Sequence, residues 1–236
     1  EIATVSVGAP GNAAVGIVPF QGPPQQGIYG SCTGAPTGCI PVGAVADPYR
    51  IGELEITVQQ YVSFLNTVDP GGRDRHNLYI ENMSPSKWPK YGSVRRSTGS
   101  SVAPGRHYSV AYPEWANKPI GFTNFPRAAS FVNSLTNGDV LARAVSTEDG
   151  FDVVTYTVRL SPESEQGMYD LRSDESSGAT RALSTGFVVP SQDEWIKAAY
   201  FDPGGDGVYW VYPTGPSRAP RGWPPATPIP IGPLQS

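Results

Sequence analysis

The chain has 236 residues, with 17 Lys and Arg against 21 Asp and Glu and a formal charge of −4, which argues against a nucleic-acid binder, since such a protein carries a basic surplus gathered on one face. Apolar residues make up 39%, enough for the core of one large domain, and no apolar run approaches the ~18 residues of a membrane span. With 27 Gly, 25 Pro and a charged share of only 16%, the chain is rich in turns and weakly charged.

In chain order, Glu1-Ile2-Ala3-Thr4-Val5 lacks the basic and apolar blocks of a signal peptide and reads as the start of a trimmed, secreted form. Short β-type runs then alternate with Gly and Pro clusters as far as Ala46, predicting a strand followed by a long excursion. Cys32 and Cys39 lie in the segment Ser31 to Cys39, whose Gly and Pro residues favour a tight loop. A local disulfide is the leading reading and points to an oxidising compartment; two neighbouring free thiols are the alternative.

Tyr49 to Ile56 alternates like a half-buried strand. From Thr57 the spacing becomes helical: Thr57 and Gln60 fit a capping box, and Val58, Tyr61, Phe64 and Leu65 form one apolar face. A second helix carries Pro126 in its first turn and an apolar stripe of Ala128, Ala129, Phe131, Val132 and Leu135, ending at Asn137-Gly138. Strands are expected at Phe151 to Leu160, Gly167 to Leu171, Phe187 to Pro190 and Val208 to Tyr212. Ser191 and Glu194 cap a third helix that runs to Tyr200, with Trp195 expected in the core and Pro203 as the stop. Pro213 to Ser236 is rich in proline and reads as extended, partly polyproline II. The fold class is α+β, with three short helices and small antiparallel sheets in a Gly- and Pro-rich frame.

The order of motifs says more than any single one. Tyr49-Arg50-Ile51-Gly52-Glu53-Leu54-Glu55-Ile56-Thr57-Val58-Gln59-Gln60-Tyr61-Val62-Ser63-Phe64-Leu65-Asn66 resembles the opening motif of the formylglycine-generating enzyme family, the sulfatase-modifying-factor domain. Asn117-Lys118-Pro119-Ile120, Ala128 to Asn133, Thr147-Glu148-Asp149-Gly150, Val189 to Tyr200 and Tyr209 to Gly215 follow in the family's order. The resemblance implies a C-type-lectin-like fold over residues 1–215, with an expanded loop at about 16–46 and a Pro-rich tail at 216–236. It also implies a secreted bacterial type of member.

Oxidase members of that family activate oxygen at copper held by two cysteines beyond the Trp195 signature, and no cysteine follows Cys39 here. The family's calcium-binding segment and closing Trp-containing motifs are also absent from Tyr212 to Ser236, so no catalytic residue carries over. Three functional expectations stand, the weakest being a calcium-dependent lectin. The leading one is a non-catalytic extracellular or cell-surface domain that binds a partner or builds an assembly through self-association, a surface protein or a glycan. The runner-up is a copper oxidase whose C-terminal part lies outside this chain; copper enters only under that reading.

Each candidate residue also has an ordinary structural role. Copper at Cys32 and Cys39 would need both sulfurs to converge as thiolates on a soft cation, whereas a loop staple accounts for the pair without a metal. An iron site would need more ligands than His76 and His107, 31 residues apart in the chain. Asp202 and Asp206 are weak calcium candidates in a segment that reads first as a turn. Trp88, Trp115 and Trp223 lie beside prolines, where an exposed ring face can stack on a sugar or a protein; packing is the plainer role. Asn82-Met83-Ser84 is a glycosylation sequon, relevant only in a host with that machinery.

Overall fold

The computed structural model describes residues 1–17, 28–29, 39–148, 151–172, 180–183, 185–202 and 209–210. In chain order the elements are β1 Ile2–Val7, β2 Val15–Ile17, β3 Ile28–Tyr29, β4 Ile40–Val42, β5 Tyr49–Gly52, α1 Val58–Val68, a 3-10 turn at Glu81–Met83, β6 Val94–Arg96, β7 Tyr108–Val110, a second 3-10 turn at Pro113–Trp115, α2 Phe125–Thr136, β8 Asp139–Glu148, β9 Phe151–Arg159 and α3 Gln192–Tyr200. This is an α+β chain with three α-helices and small antiparallel sheets among the described residues. It falls into two compact units, Glu1–Val5 with Gly52–Val189 and Ser6–Ile51 with Pro190–Ser236.

In the first unit, the Thr57 hydroxyl accepts from the Gln60 amide while the Gln60 side chain answers the Thr57 N–H, so α1 begins where the spacing predicts. Val58, Tyr61, Val62, Phe64 and Leu65 are buried on one side of α1. Phe64 meets Phe131 of α2 edge-on at 5.3 Å, and Leu78, Met83, Val94, Tyr108 and Leu135 complete the core. Each large side chain removed from water there contributes about 1.5–3 kcal/mol. The Tyr61 hydroxyl stays satisfied by donating to the Leu78 carbonyl at 2.8 Å.

The Asn124 side chain caps α2 by accepting from the Arg127 amide, and Pro126 occupies the first turn. The helix ends at Asn137, and Gly138 sits against the end of β9: a Cβ there would lie 2.2 Å from the Arg159 carbonyl oxygen. β1, β9 and β8 are neighbours in that order in an antiparallel sheet. The β6 and β7 strands form a separate ladder.

Several sequence expectations differ from the structure. The strand from Tyr49 stops at Gly52, where a Cβ would lie 2.9 Å from the Leu54 carbonyl oxygen, and the chain turns. Gly167 to Leu171 and Phe187 to Pro190 form no strand ladder; side chains take the backbone groups of Tyr169, Phe187 and Val189 instead. Thr136 exchanges hydrogen bonds with the Phe187 N–H and carbonyl, and the Tyr169 hydroxyl accepts from the Val189 N–H. Of the expected strand at Val208 to Tyr212, only a Phe201–Tyr209 bridge falls in the described part. The ten-residue β8 was not anticipated.

In the second unit, β2 lies between β3 and β4. α3 starts at a capping box in which Ser191 and Glu194 answer each other's N–H groups. Ile196 packs with Val15 and Val42. Beside it the buried Lys197 ammonium donates to the Ala9 carbonyl at 2.8 Å and lies 5.9 and 6.0 Å from the Tyr49 and Phe201 ring centres. Burial lowers the Lys197 pKa. Trp195, expected in the core, is 52% exposed. Ile196 and Lys197 set the buried side of α3, and one residue back along the helix turns the side chain by about 100°. The Pro-rich segment after Pro213 lies outside the described residues.

Candidate functional site

The feature best suited to contact another molecule grows out of the α2 terminus. After Gly138 the chain enters β8 and returns as β9, with Glu148 facing Phe151, so that two residues, Asp149 and Gly150, separate the strands. That pair lies outside the described residues. β9 is held on its far side by β1, through the register Ile2 to Tyr156 and Thr4 to Val154, and the Thr4 hydroxyl donates to the Val154 carbonyl. β8 has β9 on one side and, among the described residues, no strand on the other. Its outer backbone N–H and C=O groups are the kind of template on which another strand pairs.

Every residue of β8 is exposed. Val140, Leu141 and Val145 expose 56%, 53% and 57% of their surface. Leu141 is the extra residue of a bulge between Val140 and Ala142, after which the ladder with β9 is regular through Glu148. Val140, Arg143 and Val145 stand opposite Val158, Tyr156 and Val154, extending an apolar face of β9 outward onto the rim strand. Arg143, with Asp139 and Glu148 at the strand ends, supplies the charges on this edge.

The candidate residues from the sequence do not converge on one site. Trp88 is exposed and stacks on Phe122 with ring centres 6.4 Å apart. Trp115 is half-buried, with the Lys118 ammonium 4.5 Å from its ring centre, so that ring already serves a cation–π contact. Trp223 lies outside the described residues, as do Cys32 and Asp206. Cys39 is disulfide-bonded. Asp202 follows α3 in a half-buried position. Among the described residues no three His, Cys, Asp or Glu side chains gather as metal ligands.

The two histidines have separate neighbours. His107 is buried, with Nδ1 2.6 Å from the Ser97 carbonyl, and it packs against Gly72, whose φ of +63° and lack of a side chain leave room for the ring. His76 pairs with Glu165 at 3.0 Å. Within the sequon, Met83 is fully buried in the 3-10 turn.

The sequence carried one signal for the hairpin. Asp149-Gly150 between two runs containing Val and Thr is a favoured two-residue hairpin connection. Reading Asn137-Gly138 only as a helix stop hid the strand that begins one residue later. Compared with models of known protein families, with curated proteins and with solved structures, the chain matches none.

Proposed function

We propose that this chain is a non-catalytic, extracellular or cell-surface domain of the formylglycine-generating-enzyme type, with the C-type-lectin-like fold that this implies, serving as a structural subunit of an assembly. The motif order from Tyr49 to Gly215 supports the family reading, together with capping boxes at both motif helices, Thr57/Gln60 and Ser191/Glu194.

The observation that carries the assembly role is the exposed edge of β8, unpaired among the described residues, with Val140, Leu141 and Val145 on it. A second copy can pair antiparallel with this edge about a two-fold axis at Val145. Val145 then faces the same residue of the second copy, Ala144 faces Ser146 and Arg143 faces Thr147, so no like charges stand opposite one another. Sedimentation across a concentration series tests the reading. Self-association that V145K abolishes while leaving the melting temperature unchanged is expected, because Val145 is already exposed. A strictly monomeric chain at high concentration, together with no ligand from a glycan and surface-protein screen, overturns it.

A further inference from the structure

A second feature lies on the first unit, separate from β8. A cleft of about 350 Å³ is lined by Arg75, His76, Asn77, Asn124, Arg127 and Glu165 among others, within the size range of small-molecule sites. Two carboxylates shape one wall. Asp69 accepts from the Arg73 and Asp74 amides, and Asp74 accepts from the Leu78 and Tyr79 amides. The resulting turn holds Asp74 and Asn77 at φ of +52° and +51° and presents Arg75, His76 and Asn77 along the cleft. The start of α2 also lines the cleft, with Asn124 at the cap, Pro126 and Arg127 in the first turn and Ser130 in the second.

Arg127 is the unusual member. It is only 8% exposed, and its Nε donates to the Asn77 carbonyl at 2.9 Å, which fixes the plane of the guanidinium. Its two terminal nitrogens have no hydrogen-bond partner and no ion pair among the described residues. The rest of the side chain is packed away while the terminal nitrogens reach the cleft, and that fork matches the two oxygens of a carboxylate. Exposed Arg75 adds positive charge at the rim. Glu165, held 3.0 Å from His76, adds a negative group that disfavours a dianion but accepts hydrogen bonds from hydroxyls. The buried Ser130 is a further polar group on the wall.

We propose that this cleft binds the carboxylate of a small polyhydroxylated acid, of the sugar-acid class, with the Arg127 fork on the carboxylate and the His76–Glu165 pair on hydroxyls. The site is independent of assembly through β8. Calorimetric titration of the whole chain with D-glucuronate, D-glucose and inorganic sulfate tests it, repeated on R127K and R75Q. Saturable binding of glucuronate is expected, with no binding of glucose and weaker binding of sulfate. R127K, which keeps the charge and loses the fork, weakens glucuronate binding by about tenfold or more, and R75Q weakens it less. Failure of glucuronate to bind, equal binding of glucose, or sulfate binding as tight as glucuronate overturns the proposal. If R127K does not fold, R75Q decides, and unchanged affinity in that exposed variant also overturns it.

Discussion

Asn133, fully buried in α2, is joined to the backbone of Tyr169 in both directions: its Nδ2 donates to the Tyr169 carbonyl at 2.8 Å and its Oδ1 accepts from the Tyr169 N–H at 2.9 Å. A further Nδ2 bond reaches the Ser164 carbonyl at 3.0 Å. One side chain thus does the work of a missing strand partner for the segment that carries Glu165. N133A leaves a buried N–H and two carbonyls without this partner and is expected to cost about 3 kcal/mol. Urea denaturation measures it, and a loss below about 1 kcal/mol contradicts the role assigned to Asn133.

Asp69 links stability to pH. Burial opposes its ionisation, but hydrogen bonds from the Tyr108 hydroxyl and the Asp74 and Arg73 amides, with the nearby positive charge of Arg96, outweigh that and hold its pKa below the ordinary carboxylate value. The Tyr108 hydroxyl lies 2.6 Å from Oδ2. The unfolded chain therefore binds a proton at Asp69 at higher pH than the folded one does. The stabilisation is fully present above the unfolded value of about 3.9 and is lost as pH falls through the lower folded value. D69N should be less stable near neutrality and show a shallower acid limb. Parallel acid limbs for the two proteins in denaturation measured from neutral to acid pH would rule out Asp69 as a contributor.

The helices were legible because their signals are local. Thr57 with Gln60 and Ser191 with Glu194 satisfy backbone groups three residues away, so adjacent sequence alone specifies them. The segments Gly167 to Leu171 and Phe187 to Pro190 look like strands for the same local reason, yet their backbone groups bond to side chains of Asn133, Thr136 and Tyr169, a pairing distant in sequence. β8 escaped notice because it does not alternate cleanly: the bulge at Leu141 shifts the period, and all ten residues are exposed. Arg127 reads as a surface residue of an amphipathic helix, and only the approach of the Asn77 turn buries it.

Gly138 tests how tightly the α2 terminus is set against β9. A Cβ at this position would lie 2.2 Å from the Arg159 carbonyl oxygen and 3.1 Å from the Ser134 carbonyl oxygen, both backbone atoms. G138A must displace the end of β9 or the last turn of α2 and should cost about 2 kcal/mol, whereas G121A, with nothing within 4 Å of the new Cβ, serves as a control of small effect. Because Gly138 leads directly into β8, G138A should also weaken self-association. Thermal unfolding of the two variants gives the comparison. Equal midpoints would mean that the α2–β9 junction yields easily.

Tyr209 plays the corresponding part in the second unit. Its hydroxyl donates to the Gly43 carbonyl at 2.7 Å and accepts from the Asn12 side chain at 2.6 Å. Gly43 itself has a φ of +84°, and its N–H donates to Asp193 at 2.8 Å. Burial first, then the charge of Asp193, pushes the Tyr209 phenol up to about 12, against the hydrogen bond from Asn12. Y209F removes both hydroxyl contacts and should cost about 1 kcal/mol near neutral pH. The wild-type phenol keeps its proton in the folded chain at pH values where the unfolded chain loses it, so its contribution is present below about pH 10 and declines as pH rises toward 12. The stability gap between wild type and Y209F should therefore narrow at alkaline pH. Tyr49, Tyr61 and Tyr108 are raised too, but both proteins retain them, so the difference isolates Tyr209. A gap of the same size at neutral and alkaline pH would show that the phenol titrates alike in the folded and unfolded chains.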